Sequence, residues 1–405
     1  MGDFNIYKEL YSIFAKISLF FAIITMFSCE SSNLPTELNN QGTLNKRPNQ
    51  EIVTDAATTY SWETEYYNNG NGKIEGWNIR TSDRFIPGYY YYGSGTTAGD
   101  EPLMMVIHPN DFYGIFNKVG HFSDFNNYSS IGGWNISTTD KYSSYVGNGN
   151  RPYLLAVNHS SHWAALLYNH PVAGWMSQWT NSGNDWIGGW SINSEDYFVS
   201  GKFNPSDPSN QQVLALNYNT HWASLLSFSG SWISPWSNSG TGGINGWNIA
   251  NGDRYYASDF DGDGFDELLC IKAPWAAILK FNGSNWTWLW SNSGNNSILG
   301  WIMNNSDKYS AGNIISSNVK HEFIISNASS GHAVIFCLNQ STIQSLWGNG
   351  GNHYIGPHYI DAFDQYFVIN GLGSSYSSLM AINLVNARTL KLNVTVAQDD
   401  DETAQ

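Results

Sequence analysis

One short signature recurs six times along the chain at nearly constant spacing. Gly76-Trp77-Asn78-Ile79 returns as Gly133-Trp134-Asn135-Ile136, Gly189-Trp190-Ser191-Ile192, Gly246-Trp247-Asn248-Ile249 and Gly300-Trp301-Ile302-Met303. Pro357-His358-Tyr359-Ile360 is a sixth copy without the tryptophan, and the steps are 57, 56, 57, 54 and 57 residues. Six residues after each anchor stands an aspartate: Asp83, Asp140, Asp196, Asp253, Asp307 and Asp364. Two further on stands an aromatic: Phe85, Tyr142, Phe198, Tyr255, Tyr309 and Tyr366. A unit of this length cannot bury its apolar faces alone, so successive units must pack against one another.

The fourth copy is the clearest. Trp247–Tyr256 alternates as one strand, Leu268–Ile271 is a short apolar strand, Trp275–Phe281 a third and Trp286–Trp290 a fourth. Asn282-Gly283-Ser284 and Ser291-Asn292-Ser293-Gly294 supply the turns between and after them. Four short strands per unit describe a propeller blade. The expected fold is therefore all-β: a β-propeller of six four-stranded blades, or seven if a further worn copy exists. Ring closure is expected from the N-terminus. Ser61-Trp62 through Gly70 aligns without gaps on Ser231-Trp232 through Gly240, an outer strand of the repeat. Arg388–Leu392 competes for that slot and is expected to flank it.

One loop carries metal-ligand spacing. Asp259, Asp261, Asp263 and Glu267 stand at positions 1, 3, 5 and 9, with Gly264 at the sharp turn and the Phe265 carbonyl at position 7. Hard oxygens in that order suit Ca²⁺, which takes six to eight of them, so a structural Ca²⁺ is expected here. The corresponding segments Lys202–Asp207 and Gly147–Asn150 lack the ligand set.

The loop followed by Glu267-Leu268-Leu269 resembles the FG-GAP/VCBS repeat of integrin-type propellers. Period, Gly-Trp anchors and Asn/Gly-rich turns are together similar to a fungal propeller lectin that binds N-acetylglucosamine. The resemblance covers about residues 60–392. It implies a lectin-like module with glycan pockets between blades.

Lys8 and Lys16 precede an apolar run, Ile17–Phe27, and then Ser28-Cys29. Eleven helical residues rise only about 16 Å, short of a ~30 Å hydrocarbon core. The run reads as a secretory signal, and a small residue before Cys29 resembles a bacterial lipobox. The expected organisation is a lipoprotein signal peptide (1–29) with lipidation at Cys29, a polar tether (30–58), the propeller (59–395) and an acidic tail (396–405). The expected location is the bacterial outer membrane or cell surface, with membrane contact through the lipid alone. A net charge of −15 without a Lys/Arg cluster argues against nucleic acid as a partner. Cys270 and Cys337 sit within apolar runs and read as buried strand thiols in preference to a bridge.

The aromatics leave two readings open. Trp77, Trp134, Trp190, Trp247 and Trp301 are either blade-packing anchors or stacking surfaces for a sugar ligand. A second series, His162-Trp163, His221-Trp222 and Pro274-Trp275, opens the third strand and reads as structural. No nucleophile elbow, zinc-binding helix or phosphate loop is present in the sequence. An enzyme acting on polysaccharides, as lyase or hydrolase, would have to use residues that break the repeat: Asp100, Glu101, His108 and Asp111, or His353, His358 and Asp361. The alternatives to a glycan-binding module are that enzyme and a protein-interaction or adhesion scaffold.

Overall fold

The computed structural model describes residues 58–398, apart from 69–71, 75–76, 89, 91–102, 110–111, 117–121, 127–128, 148–150, 171, 316–318 and 371–376. The signal segment, Cys29, nearly all of the tether, Asp100, Glu101 and Asp111 lie outside the described residues.

Six four-stranded antiparallel sheets follow one another as blades 1 to 6. Blade 4 shows the pattern: Arg254–Ser258 innermost, then Glu267–Lys272, Trp275–Phe281 and Trp286–Ser291 outermost. Its second strand is buried on both faces because each face meets a different neighbour. Leu268 and Cys270 pack with Leu214, Leu216 and Leu225 of blade 3, while Leu269 and Ile271 pack with Phe323 and Ile325 of blade 5. Side-chain alternation along one strand thus feeds two separate cores, which explains a continuous apolar run where a half-exposed strand would alternate. Six such clusters lie between successive blades, the sixth joining blade 6 to blade 1 through Ile369, Met380, Met104 and Val106.

The ring closes as the repeat implies. Thr58–Tyr67 is the outer strand of blade 6 and pairs antiparallel with Arg388–Gln398, Trp62 opposite Val394. Arg388–Gln398 is the third strand, flanking the N-terminal one, and Asp364–Asn370 and Ser377–Asn383 complete the sheet. Each innermost strand touches the next, and that of blade 6 touches Arg84–Gly88 of blade 1. Cations just after the recurrent aspartates stitch neighbours together. Arg84 donates to the carbonyls of Thr138 and Asp140, Lys141 to that of Ser194 (2.6 Å), and Arg254 to those of Asn305 (2.5 Å) and Asp307.

One local expectation is corrected. Trp247–Tyr256 is two elements: a ribbon pairing Gly243–Ile244 with Trp247–Asn248, and the inner strand from Arg254. The chain breaks between them because the Asp253 carboxylate accepts the Ala250 N–H (2.9 Å) and closes a turn. Every blade is preceded by such a ribbon, from Lys73–Ile74 with Trp77–Asn78 to Tyr354–Ile355 with His358–Tyr359. Because successive strands are antiparallel, the ribbons and the turns between second and third strands emerge on one face of the ring. The loop between the first and second strands of blade 4, 259–266, emerges on the other.

Candidate functional site

The ribbon tryptophans belong to the interior. Trp77, Trp134, Trp190, Trp247 and Trp301 are 4–8% exposed, and each indole N–H donates to the aspartate six residues on, at 2.8–3.1 Å. In the sixth copy His358 Nε2 meets Asp364 at 2.7 Å, so the worn repeat keeps the bond without the indole. The same carboxylates accept a backbone N–H three residues back, and Asn158, Asn217, Asn327 and Asn383 cap the other oxygen in four blades. Burial pushes Asp83 and Asp196 above the usual carboxylate range, against the donors around them. This is packing chemistry, as the first of the two readings expects, and it offers no indole face to a ligand.

The second tryptophan series lies on the ribbon face and is open. Trp163, Trp222 and Trp275 are 45%, 45% and 51% exposed at the start of the third strands. Each indole rests against a glycine of the turn that follows the outer strand. A Cβ on Gly183, Gly240 or Gly294 would meet the ring at 2.8, 2.9 or 2.5 Å. Each of these glycines has a φ of 73–75°, where a side chain is strained.

An asparagine holds each indole to its glycine. The side-chain oxygens of Asn181, Asn238 and Asn292 accept the N–H after the indole (Ala164, Ala223, Ala276; 2.9–3.0 Å) and that of the glycine (3.0–3.1 Å). Their amides donate at 2.8 Å to the carbonyls of His162, His221 and Pro274, just before it. His162 and His221 take the left-handed conformation there, φ 58° in both. A backbone held in that region by three side-chain bonds presents a rigid surface. Blade 5 repeats the clamp with Asn349, placing the His332 imidazole against Gly351. At the closure Asn68 bonds to Thr389 N–H and the Ala387 carbonyl, around Arg388.

Further polar groups border these indoles. His162 Nδ1 lies 2.9 Å from Asp185, and Trp186 is half exposed. Tyr354 and Tyr359 are exposed beside the blade 5 position, with His353 stacked on Tyr359. A pocket of 330 Å³ opens between blades 1 and 2, lined by Arg84, Thr138, Lys141 and His159 among others.

On the opposite face the acidic loop meets a residue its own spacing does not contain. Lys280, from the third strand of blade 4, points its ammonium at Asp261, at Asp263 (2.6 Å) and at Glu267 (3.2 Å). Asp259 turns both oxygens to backbone, accepting the N–H of Gly262 (2.7 Å) and Gly264 (2.8 Å). Asp259, Asp261 and Glu267 do converge as a metal site would require. Lys280 occupies the outward oxygens of Asp261 and Asp263, while Glu267 Oε1 is buried without a hydrogen-bond partner. Burial raises Glu267 to about 8 despite the lysine.

Among the described residues, the repeat-breaking His108, His353, His358 and Asp361 do not pair with one another. His358 is bound inside to Asp364, Asp361 caps the Phe363 N–H, and His108 is buried against Ser82. Cys270 and Cys337 are free thiols. Sequence spacing leaves the ribbon tryptophans open between packing and ligand contact, and it reads the His162-Trp163 series as structural. The exposed series carries its own signal, Asn-x-Gly, 16–18 residues after Trp163, Trp222 and Trp275.

No protein-family model and no curated protein matches the chain. Solved structures do resemble it. An Agrocybe aegerita lectin recognising non-reducing terminal N-acetylglucosamine is 13% identical, with 76% of each chain covered and a TM-score of 0.46. An Aleuria aurantia lectin variant in complex with α-methyl-L-fucoside is 11% identical, covering 79% of this chain and 95% of that one, TM-score 0.44. An auxiliary nutrient binding protein from Bacteroides thetaiotaomicron is 7% identical, covering 84% and 77%, TM-score 0.46.

Proposed function

We propose that the protein is a non-catalytic recognition module that binds glycans through a row of aromatic platforms on the ribbon face. The observation that carries this reading is the threefold recurrence of a clamped, half-exposed indole, Trp163, Trp222 and Trp275, in the same register of adjacent blades. Packing alone gives no reason to leave a large apolar ring half in water three times over, whereas the C–H face of a pyranose covers such a ring well. A pre-positioned indole loses little freedom when covered, and several weak platforms on one rigid ring gain by avidity. Lipidation at Cys29 would hold the ring at a membrane surface, where repeated glycans are the fitting partner.

A glycan array probed with wild type and with the combined variant Trp163→Ala/Trp222→Ala/Trp275→Ala tests the proposal. The variant is expected to keep its circular dichroism and lose glycan binding. A folded variant that binds as well as wild type, or a wild type that captures no glycan, overturns it. Loss of labelled lipid from Cys29→Ser in a bacterial host tests the anchor separately.

A further inference from the structure

We propose that Lys280 is the resident cation of the acidic loop: its ammonium takes the place a divalent ion would hold, and the loop closes without metal. The ammonium donates to Asp261 and to Asp263 (2.6 Å), and it lies 3.2 Å from Glu267 Oε1, a buried oxygen with no hydrogen-bond partner. The other oxygens of the set are taken by backbone. Asp261 accepts the Asp263 N–H (3.2 Å), Asp263 that of Phe265 (3.0 Å), and Glu267 those of Phe260 (2.8 Å) and Asp261 (3.1 Å). Both Asp259 oxygens are used in the same way. Ca²⁺ needs six to eight oxygens at 2.3–2.6 Å, including the two that Lys280 bonds, and two cations cannot share them without strong repulsion. The lysine has the further advantage of being tethered: it arrives on Trp275–Phe281 and cannot diffuse away.

The other blades supply an independent observation. The residue five beyond the exposed indole is Lys280 in blade 4, Ser227 in blade 3 and Tyr168 in blade 2; five beyond His332 it is Cys337 in blade 5. Ser227 donates to Asp207, the acid of its own loop, at 3.0 Å. In blade 5 the counterpart of Glu267 is Glu322, buried opposite Cys337 with its carboxylate accepting the N–H of Ile314 (2.9 Å) and Ile315 (3.1 Å). A hydroxyl thus meets the single Asp207 of blade 3, a thiol stands opposite the single Glu322 of blade 5, and the ammonium of Lys280 stands against the three acids of blade 4.

The test uses the full chain, Ca²⁺ titration calorimetry and thermal melting with EDTA or excess Ca²⁺. Wild type is expected to melt at the same temperature in both and to bind no Ca²⁺ tighter than about 10⁻³ M, the weak end of extracellular sites. Lys280→Gln is expected to melt lower in EDTA, to recover in Ca²⁺ and to bind one ion per chain. Wild-type melting that falls in EDTA, or a wild-type Ca²⁺ site of micromolar affinity, overturns the proposal even if the variant fails to fold. So does a folded Lys280→Gln that melts like wild type in both buffers. Glycan binding does not enter these readouts, since the loop and the indoles lie on opposite faces.

Discussion

Replacing Asp196 by alanine removes the acceptor around which the third ribbon turns. The carboxylate is 1% exposed and receives Trp190 Nε1 at 2.9 Å, the Asn193 N–H at 2.8 Å and Asn217 Nδ2 at 2.6 Å. Trp190 Nε1 and Asn217 Nδ2 would lose their partner inside the protein, at roughly 1–3 kcal/mol each. Part of this is offset, because a buried charge disappears too, as the raised proton affinity of Asp196 indicates. The expected net loss is about 3 kcal/mol, a large fraction of a typical 5–15 kcal/mol. Trp190→Phe deletes one donor and leaves the carboxylate two others, so about 1 kcal/mol is expected. Because both substitutions delete the same bond, the double variant should be more stable than the sum of the two losses predicts, by about 1 kcal/mol. Urea unfolding followed by far-ultraviolet circular dichroism measures all three. Additivity within about 0.3 kcal/mol, or an Asp196→Ala loss below about 1 kcal/mol, would refute the clamp as the reason for the repeat.

Three further outcomes follow from the same contacts. His358→Trp restores the donor used in the other five blades and is expected to melt within a few degrees of wild type; His358→Phe removes it and should cost about 1–3 kcal/mol, read by thermal melting. Gly240→Ala places a methyl 2.9 Å from the Trp222 ring at a φ of 75°. It should destabilise by about 1–3 kcal/mol and weaken glycan binding at that platform, measured by melting and titration together. Asn68→Ala breaks both closure bonds to the 387–389 segment, and hydrogen exchange should then rise in Thr58–Tyr67 before any other outer strand.

The relation of sequence to structure differs from feature to feature. The tryptophan–aspartate pairing is visible because the partners are six residues apart, within one turn, and every copy repeats the interval. The break between Trp247 and Arg254 is not, since alternation continues across it while a side-chain bond to Ala250 folds the backbone. Closure by Ser61–Gly70 is legible because Asn68 stands in the register of Asn238. Exposure is another matter. Trp222 and Trp247 both recur with the repeat, and periodicity cannot say which faces water. Only the pairing of Trp222 with Asn238-Ser239-Gly240, 16 residues on, separates them, and it becomes meaningful once the outer strand has folded back. Lys280 was missed for the same reason. Motif spacing looks along the loop, while the lysine enters from a neighbouring strand.

Titration of the purified chain with a bound monosaccharide or short glycan, scored for stoichiometry, tests the platform account most directly. Three equivalent or near-equivalent sites are expected, with one lost for each of Trp163→Ala, Trp222→Ala and Trp275→Ala. A single site per chain, or a stoichiometry indifferent to all three substitutions, would contradict it.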